Sequence, residues 1–210
     1  AATVAGSTSG TAAVSGTLVA QDAEGDTISY SVLGGTLNGA GTGYSLVGTY
    51  GTLTVDKADG DYTYTLDNTK TAVDALSASD TVKEEFTVQA GDGKTTGSDT
   101  LTISITGAND APQSVASSGT TITENASGAV VGVLSAQDPE GDGVVFTLEA
   151  VDNHNLFTIA NVDGKNTLKL KDGQSANFES TPTLLVTVKA SDGTTYTNKP
   201  FTISVTNVNE

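Results

Sequence analysis

The chain has no cysteine, tryptophan, methionine or arginine, and it has only four prolines and one histidine among its 210 residues. Without cysteine it can form neither disulfides nor thiolate zinc sites. Nine lysines face 25 acidic residues, which gives a formal net charge of −16. Because nucleic acids and anionic membranes are bound by basic patches, this charge argues against both as partners. Divalent cations are the expected partners.

Catalysis is not expected either. The single histidine, His154, has no serine or cysteine nucleophile beside it in the sequence, and a lone loop histidine is usually a solvated surface residue. Without tryptophan, paired carboxylates have little aromatic surface with which to form a sugar-cleaving cleft. No apolar run approaches the roughly 18 residues of a membrane span, so membrane insertion is not expected. The sequence therefore predicts a protein that is not an enzyme and has no catalytic residues.

Alternating hydroxyl and aliphatic residues dominate the pattern of hydrophobicity. The segment 101–106 reads Leu-Thr-Ile-Ser-Ile-Thr, and 201–206 repeats it as Phe-Thr-Ile-Ser-Val-Thr. This period of two is typical of strands with one buried face, and Asp-Gly pairs separate many of the segments as turns. The one predicted helical turn lies near 71–76, and the glycine-rich insert 34–43 is predicted to be a surface hairpin. We therefore predict an all-β protein of two tandem Ig-like or cadherin-like antiparallel β-sandwiches.

An acidic turn occurs twice, at 20–26 as Ala-Gln-Asp-Ala-Glu-Gly-Asp and at 136–142 as Ala-Gln-Asp-Pro-Glu-Gly-Asp. Each is followed by an Ala-x-Asp-Gly motif, at 90–93 and at 190–193. Clustered carboxylates repel one another unless a hard cation neutralises them, and all-oxygen sites favour Ca²⁺, with Mg²⁺ as the alternative. The Asp-Gly turns at Asp59, Asp163 and Asp172 lack this context and are predicted to be plain hairpin turns.

The two copies predict two domains, 1–110 and 111–210. Residues 12–112 resemble a VCBS repeat of giant bacterial surface proteins, through the segments 14–18, 48–55, 59–68 and 105–112. Residues 113–210 resemble a cadherin-like domain, through Ile-Thr-Glu-Asn at 122–125, the acidic turn, Asn-Phe-Glu-Ser at 177–180 and the closing Asn-Val-Asn-Glu. Such a pair is similar to segments of large RTX-type bacterial adhesins.

The cadherin-like resemblance implies that Ca²⁺ binds between successive domains, with ligands from both neighbours and from the linker. It assigns an interdomain site to six residues: Asn109, Asp110, Asp138, Glu140, Asp142 and Asp192. Ala90 of the first domain corresponds to Ala190 of the second, and counting back from it gives Asp80 as the counterpart of Glu179. An N-terminal partial site is assigned to Asp22, Glu24, Asp26 and Asp92. A C-terminal partial site is assigned to Glu124, Glu179, Asn207, Asn209 and Glu210.

The function implied is that of a calcium-rigidified extender in a large bacterial surface adhesin, acting at the cell surface in adhesion or biofilm formation. Its partners would be calcium ions and neighbouring repeat domains of the same chain. The alternative is a calcium-dependent module that binds glycans or surface proteins, because β-sandwiches often present such sites on loops.

Overall fold

The protein is described by a computed structural model that covers residues 3–4 and 13–209. It divides into two compact units, residues 1–109 and 110–210. Nearly all the regular secondary structure described in both units is β-strand, which confirms the all-β fold class. No helix in the part of the chain described is long and apolar enough to cross a membrane.

Unit 1 contains two antiparallel sheets, with strand orders β1-β9-β8-β3 and β2-β7-β6-β5-β4. Their side chains alternate between core and solvent, and Leu53, Tyr64 and Ile105 are fully buried. The strands are β1 (Thr3–Val4), β2 (Ala13–Thr17), β3 (Ser29–Val32), β4 (Thr36–Leu37), β5 (Gly43–Val47), β6 (Gly51–Asp56), β7 (Asp61–Leu66), β8 (Thr81–Gly91) and β9 (Thr96–Thr106).

A short helix of unit 1, α1 (Thr71–Asp74), lies where the sequence predicts a helical turn, and it buries Val73 against the core. The glycine-rich insert 34–43 forms the turn and flanks of the β4–β5 hairpin, in which Thr36 pairs with Ser45 and Leu37 with Tyr44. Both of these local predictions are confirmed.

Unit 2 also has two sheets, with strand orders β10-β12-β15-β14 and β11-β17-β16-β13. Its core includes the buried residues Phe157, Leu168, Val186 and Ile203. The strands are β10 (Gln113–Ser117), β11 (Thr121–Thr123), β12 (Val130–Gln137), β13 (Val145–Leu148), β14 (Phe157–Val162), β15 (Lys165–Leu170), β16 (Thr183–Ser191) and β17 (Tyr196–Thr206), with a 3-10 turn η1 (His154–Leu156).

One strand pair in unit 2 departs from the antiparallel pattern. β10 pairs with β12 in one sheet, and β11 follows it and pairs in parallel with β17 in the other sheet. The alternation of residue types does not distinguish parallel from antiparallel pairing, because it sets only which face of a strand is buried.

Candidate metal centre

The acidic turn of unit 2 is held by Asp138 and follows β12. The Oδ1 atom of Asp138 accepts hydrogen bonds from the backbone N–H groups of Glu140 at 3.2 Å and Asp142 at 3.0 Å. Gly141 has a φ of 86°, a conformation that glycine adopts without strain. These bonds fix Asp138, Glu140 and Asp142 on one turn and leave the other oxygen of Asp138 outside this backbone network.

Two carboxylate oxygens of this turn, Asp138 Oδ2 and Glu140 Oε2, are buried and have no hydrogen-bond partner among the residues that the structure describes. An unpaired buried carboxylate oxygen is costly, and such atoms usually face a cation or an ordered water. The donor set consists only of oxygen, as Ca²⁺ prefers. The residues present therefore fit a hard divalent cation, and these two oxygens are the first candidates to hold it.

Glu140 connects the turn to the first residue of unit 2. Its Oε1 atom accepts a hydrogen bond from the backbone N–H of Asp110 at 3.0 Å. Burial raises the pKa of the Glu140 carboxyl, and the nearby Asp138 and Asp110 carboxylates raise it further, against the opposing effect of the Asp110 N–H. A carboxyl whose pKa is raised by burial and by like charges would gain from a bound cation.

Asp192, on the β16–β17 hairpin, is connected through Thr195 to the backbone of Asp110. Its Oδ1 atom accepts from the N–H groups of Thr194 at 2.6 Å and Thr195 at 2.7 Å, while its Oδ2 atom accepts from the Thr195 hydroxyl at 2.6 Å. That hydroxyl also lies 3.3 Å from the carbonyl oxygen of Asp110. Thr195 therefore connects Asp192 to Asp110, and the structure brings together four predicted ligands: Asp110, Asp138, Glu140 and Asp192.

The carboxylates of this site do not by themselves form a complete coordination shell for a metal ion. Within residues 3–4 and 13–209, no three Asp, Glu or His side chains form a group arranged to hold a metal ion. Asp142 belongs to the turn but is exposed, and both Asp192 oxygens accept hydrogen bonds from its own hairpin. A cation here would depend on the two buried oxygens, with backbone, amide or water oxygens completing its shell.

The two predicted ligands near the end of unit 1 are Asp80 and Asn109, and no hydrogen bond of Asp80 within the described residues connects it to the other predicted ligands. Asp80 accepts hydrogen bonds at its Oδ2 atom from the N–H and the hydroxyl of Ser77, both at 2.9 Å. Its carbonyl accepts from Gly107 N–H at 3.0 Å, which places Asp80 where β9 leads towards Asn109. Asn109 is partly buried. Asp80 acts in the structure as a turn-forming side chain, and its role as a ligand stays a prediction.

The acidic turn of unit 1 has the same backbone design as that of unit 2. Asp22 Oδ1 accepts from the N–H groups of Glu24 at 3.0 Å and Asp26 at 2.8 Å. Backbone N–H groups of Thr95 and Lys94 hold the pKa of Asp92 below its usual range. The two turns differ in their charge partner, since Lys94 forms an ion pair with Asp26 whereas unit 2 has Thr194 at the equivalent position. A lysine already neutralises part of this N-terminal set.

Glu124 organises the C-terminal set of unit 2. It is only 2% exposed, and its carboxylate accepts from the N–H groups of Phe178 at 2.9 Å and Val208 at 2.5 Å. These two backbone bonds, the Val208 bond foremost, hold the pKa of Glu124 below its usual range, and a hydrogen bond with Glu179 acts in the same direction. The structure thus brings Glu124, Glu179 and the strand-ending segment 207–208 together.

The remaining C-terminal ligands are less defined. The amide of Asn207 donates to Glu179 Oε1 at 3.0 Å. Asn209 is exposed, and Glu210 lies outside the described residues. The isolated Asp-Gly turns at Asp59 and Asp163 are confirmed as hairpin turns, because they join the paired strands β6–β7 and β14–β15. The prediction of a hairpin turn is wrong for Asp172, which lies in a turn after β15, because the next strand, β16, belongs to the other sheet.

One buried acid was not among the predicted residues. Glu84 on β8 is 8% exposed, and its carboxylate accepts hydrogen bonds from the Tyr64 hydroxyl at 2.6 Å and from the backbone N–H groups of Thr49 and Tyr50. The signal was present in the alternation, because Glu84 has the same parity as the buried residues Phe86 and Val88 on β8. Its three donors make it a structural acid of the unit 1 core.

No protein-family model and no curated protein matches the chain. Among solved structures, human protocadherin-24 EC1-2 aligns at 18% identity with a TM-score of 0.45, covering 92% of this chain and 87% of that one. Protocadherin gamma B2 domains 3–6 align at 17% identity with a TM-score of 0.48, covering 87% of this chain and 40% of that one. The human desmocollin-1 ectodomain aligns at 15% identity with a TM-score of 0.39, covering 95% and 39%.

Proposed function

We propose that this chain is a calcium-binding pair of β-sandwich domains that serves as an extender in a larger extracellular adhesive protein. The observation that supports this proposal most is the pair of buried, unpartnered oxygens on one turn, Asp138 Oδ2 and Glu140 Oε2. Burying a carboxylate oxygen without a hydrogen-bond donor is costly, and a bound cation would offset that cost. No lysine contacts this turn by an ion pair within the described residues.

The chemistry of the donors favours Ca²⁺ over other metals. With no cysteine and one histidine in the chain, zinc and copper would lack their usual ligands. Mg²⁺ demands a near-ideal octahedron and retains several waters, whereas Ca²⁺ accepts irregular sets of carboxylate, carbonyl and water oxygens. The ligands we propose are Asp138 and Glu140, with Asp110, Asp142, Asp192 and Asn109 contributing further oxygens. Asp80 and the two terminal sets are proposed as weaker or partial sites.

The mechanical role follows from charge. Without a cation, the carboxylates of Asp110, Asp138 and Glu140 repel one another, which favours any chain conformation that separates them. Bound Ca²⁺ neutralises these charges and favours the conformation in which the ligands converge. Because an ion that binds one conformation shifts the population towards it, the chain around residues 109–110 would become more restricted as calcium rises.

The setting we propose is a bacterial cell surface, where repeated domains of this kind would hold an adhesive region away from the envelope during adhesion or biofilm formation. The support for it is the resemblance of residues 12–112 to a VCBS repeat, together with the acidic, cysteine-free composition. Extracellular calcium at millimolar levels matches the weak class of protein calcium sites, with Kd of about 10⁻⁴–10⁻³ M.

Calorimetric titration of the 210-residue chain with CaCl₂ tests calcium binding. We expect Asp138→Asn and Glu140→Gln each to remove one binding event or to weaken it at least tenfold. Asp163→Asn is the matched control, since it makes the same charge change in an exposed hairpin turn of unit 2. Binding isotherms that are the same for the wild type and the two turn variants would contradict the proposed site.

Small-angle scattering with calcium and with chelator tests the stiffening separately. We expect a narrower distribution of dimensions in calcium, and the difference should disappear in Glu140→Gln. Calcium binding without any change in the scattering profile would leave the site but overturn the role of an extender.

A further inference from the structure

The outer face of one sheet in unit 1 has hydroxyl side chains in a row. In register across the five strands β2, β7, β6, β5 and β4, the paired residues are Ser15 with Thr63, Thr63 with Thr54, Thr54 with Ser45, and Ser45 with Thr36. We call these five residues the hydroxyl row. Every strand of the sheet contributes one hydroxyl to it.

The hydroxyl row faces away from the core. Its neighbours along β6 and β7, Leu53, Val55 and Tyr64, are buried, and alternate residues of a strand point to opposite faces. Adjacent strands lie about 4.8 Å apart, so hydroxyls recur across the sheet at roughly the length of one hexose ring. Ser15, Thr54 and Thr36 are exposed.

A cavity of about 260 Å³ opens on this face, and three members of the row line it together with Asp56 and Asp61. Each of these aspartates lies two positions from a threonine of the row on the same strand, so it shares the outer face with that threonine. The glycine-rich β4–β5 hairpin forms one wall. Asn38 and Thr42 brace that hairpin, since the side-chain amide Nδ2 of Asn38 donates to the Thr42 hydroxyl at 3.1 Å and the Thr42 backbone N–H donates to Asn38 Oδ1 at 3.0 Å. The insert 34–43 therefore shapes a cleft.

The hydroxyls and carboxylates that line the cavity are only partly used in hydrogen bonds within the protein. The hydroxyls of Ser15 and Thr63 lie 2.9 Å apart, and Thr54 donates to the Thr63 carbonyl at 3.1 Å, which leaves acceptor sites on each hydroxyl. Asp56 uses Oδ1 for the N–H of Ala58 at 2.7 Å, and Asp61 uses Oδ1 for the Thr17 hydroxyl at 2.6 Å. The second oxygen of each carboxylate makes no hydrogen bond within the described part of the chain.

We infer that this face of unit 1 binds a linear glycan without acid groups, laid along the hydroxyl row with its ring hydroxyls donating to Asp56 and Asp61. A polyhydroxylated chain matches a surface that offers both donors and acceptors at regular spacing. Acidic glycans are disfavoured because two carboxylates line the cleft and no lysine among the described residues lines it. The hydroxyl row is distinct from the acidic turns and needs no calcium.

Nuclear magnetic resonance titration of the ¹⁵N-labelled 210-residue chain, with chelator present, tests this inference. The probes are cellotetraose and its acidic counterpart tetragalacturonate. With cellotetraose we expect shifts confined to amides 38–45, 52–56 and 61–65, with a Kd of about 1 mM. With tetragalacturonate we expect no shift at these amides.

The double variant Ser45→Ala with Thr54→Val removes two hydroxyls of the row and should weaken cellotetraose binding about tenfold. Thr202→Val, an exposed threonine on the outer face of unit 2, is the matched control and should change nothing. If the double variant does not fold, the comparison of the two probes on the wild type still decides. Absent shifts, shifts equal for both probes, or an unchanged affinity in a folded double variant would each overturn the inference.

Discussion

The buried acid of unit 1 gives a prediction whose size can be worked from the structure. Tyr64 is 0% exposed, and its hydroxyl donates to Glu84 Oε2 at 2.6 Å, whereas Glu84 Oε1 accepts from the backbone N–H groups of Thr49 and Tyr50. Tyr64→Phe keeps the ring and its contact with Phe86, at 5.9 Å between centroids. It deletes only the donor, so Oε2 becomes a buried charged acceptor without a partner.

Hydrogen bonds to charged groups contribute about 1.5–3 kcal/mol, and an acceptor left buried and unsatisfied adds its desolvation to the loss. We therefore expect Tyr64→Phe to lower the free energy of unfolding of unit 1 by about 2–3 kcal/mol. With a urea m-value of about 1–3 kcal/mol/M for a domain of this size, the urea midpoint should fall by about 0.7–3 M.

Tyrosine emission during urea unfolding measures this change, because five of the six tyrosines lie in unit 1 and there is no tryptophan. The control is Tyr62→Phe, on the same strand, whose hydroxyl makes no hydrogen bond within the described residues. Equal midpoint shifts for both variants, or no shift for Tyr64→Phe, would refute the assigned role of the Tyr64–Glu84 bond.

Three further predictions concern pH and packing. Backbone donors lower the pKa of Glu124 in the folded state, so its contribution to stability is complete above its unfolded pKa of about 4.3 and is lost as pH falls through the lower folded value. The melting temperature should therefore depend less on pH in the acid range for Glu124→Gln than for the wild type, and an unchanged pH dependence would contradict this. Burial raises the pKa of Tyr64, with its bond to Glu84 adding to the effect, so unit 1 should lose stability as pH rises above about 10, and Tyr64→Phe should remove that part of the loss. A Cβ at Gly48 would meet a Glu84 carboxylate oxygen, so Gly48→Ala should destabilise unit 1 by about 1–3 kcal/mol in thermal melting. Gly39→Ala is the control and should be nearly neutral, because the added carbon meets nothing within 4 Å.

Much of the fold could be predicted from residue periodicity. The alternation in 101–106 and 201–206 lies in the last strand of each unit, and the one predicted helical turn is α1. The parallel pairing of β11 with β17 could not be predicted, because alternation sets which face is buried but not which strand lies alongside. Local periodicity likewise does not fix the strand order of a sheet.

The candidate site was predictable to the extent that it is local in sequence. Asp138, Glu140 and Asp142 form one turn because their spacing lets Asp138 accept two nearby backbone N–H groups. The contacts of Asp110 with Glu140 and Thr195 depend on how β12 and the β16–β17 hairpin are placed in unit 2, which spacing does not determine. The ion pair of Lys94 with Asp26 was missed for the same reason, since it joins residues 68 positions apart.

The buried Glu84 shows a different limit. Its position on β8 alternates in step with the buried Phe86 and Val88, but a charged residue is rarely expected in a core unless its partners are known. Those partners, Tyr64 and the 49–50 turn, come from β7 and from the β5–β6 connection. Only the packed sheets bring these donors to one carboxylate.

The central claim is that Asp138 Oδ2 and Glu140 Oε2 share a calcium ion. Its most direct test is a crystal structure of the chain grown in excess CaCl₂, with anomalous difference maps to identify the ion. We expect a calcium peak about 2.3–2.6 Å from both oxygens. Well-ordered density that contains only water beside these two carboxylates would contradict it.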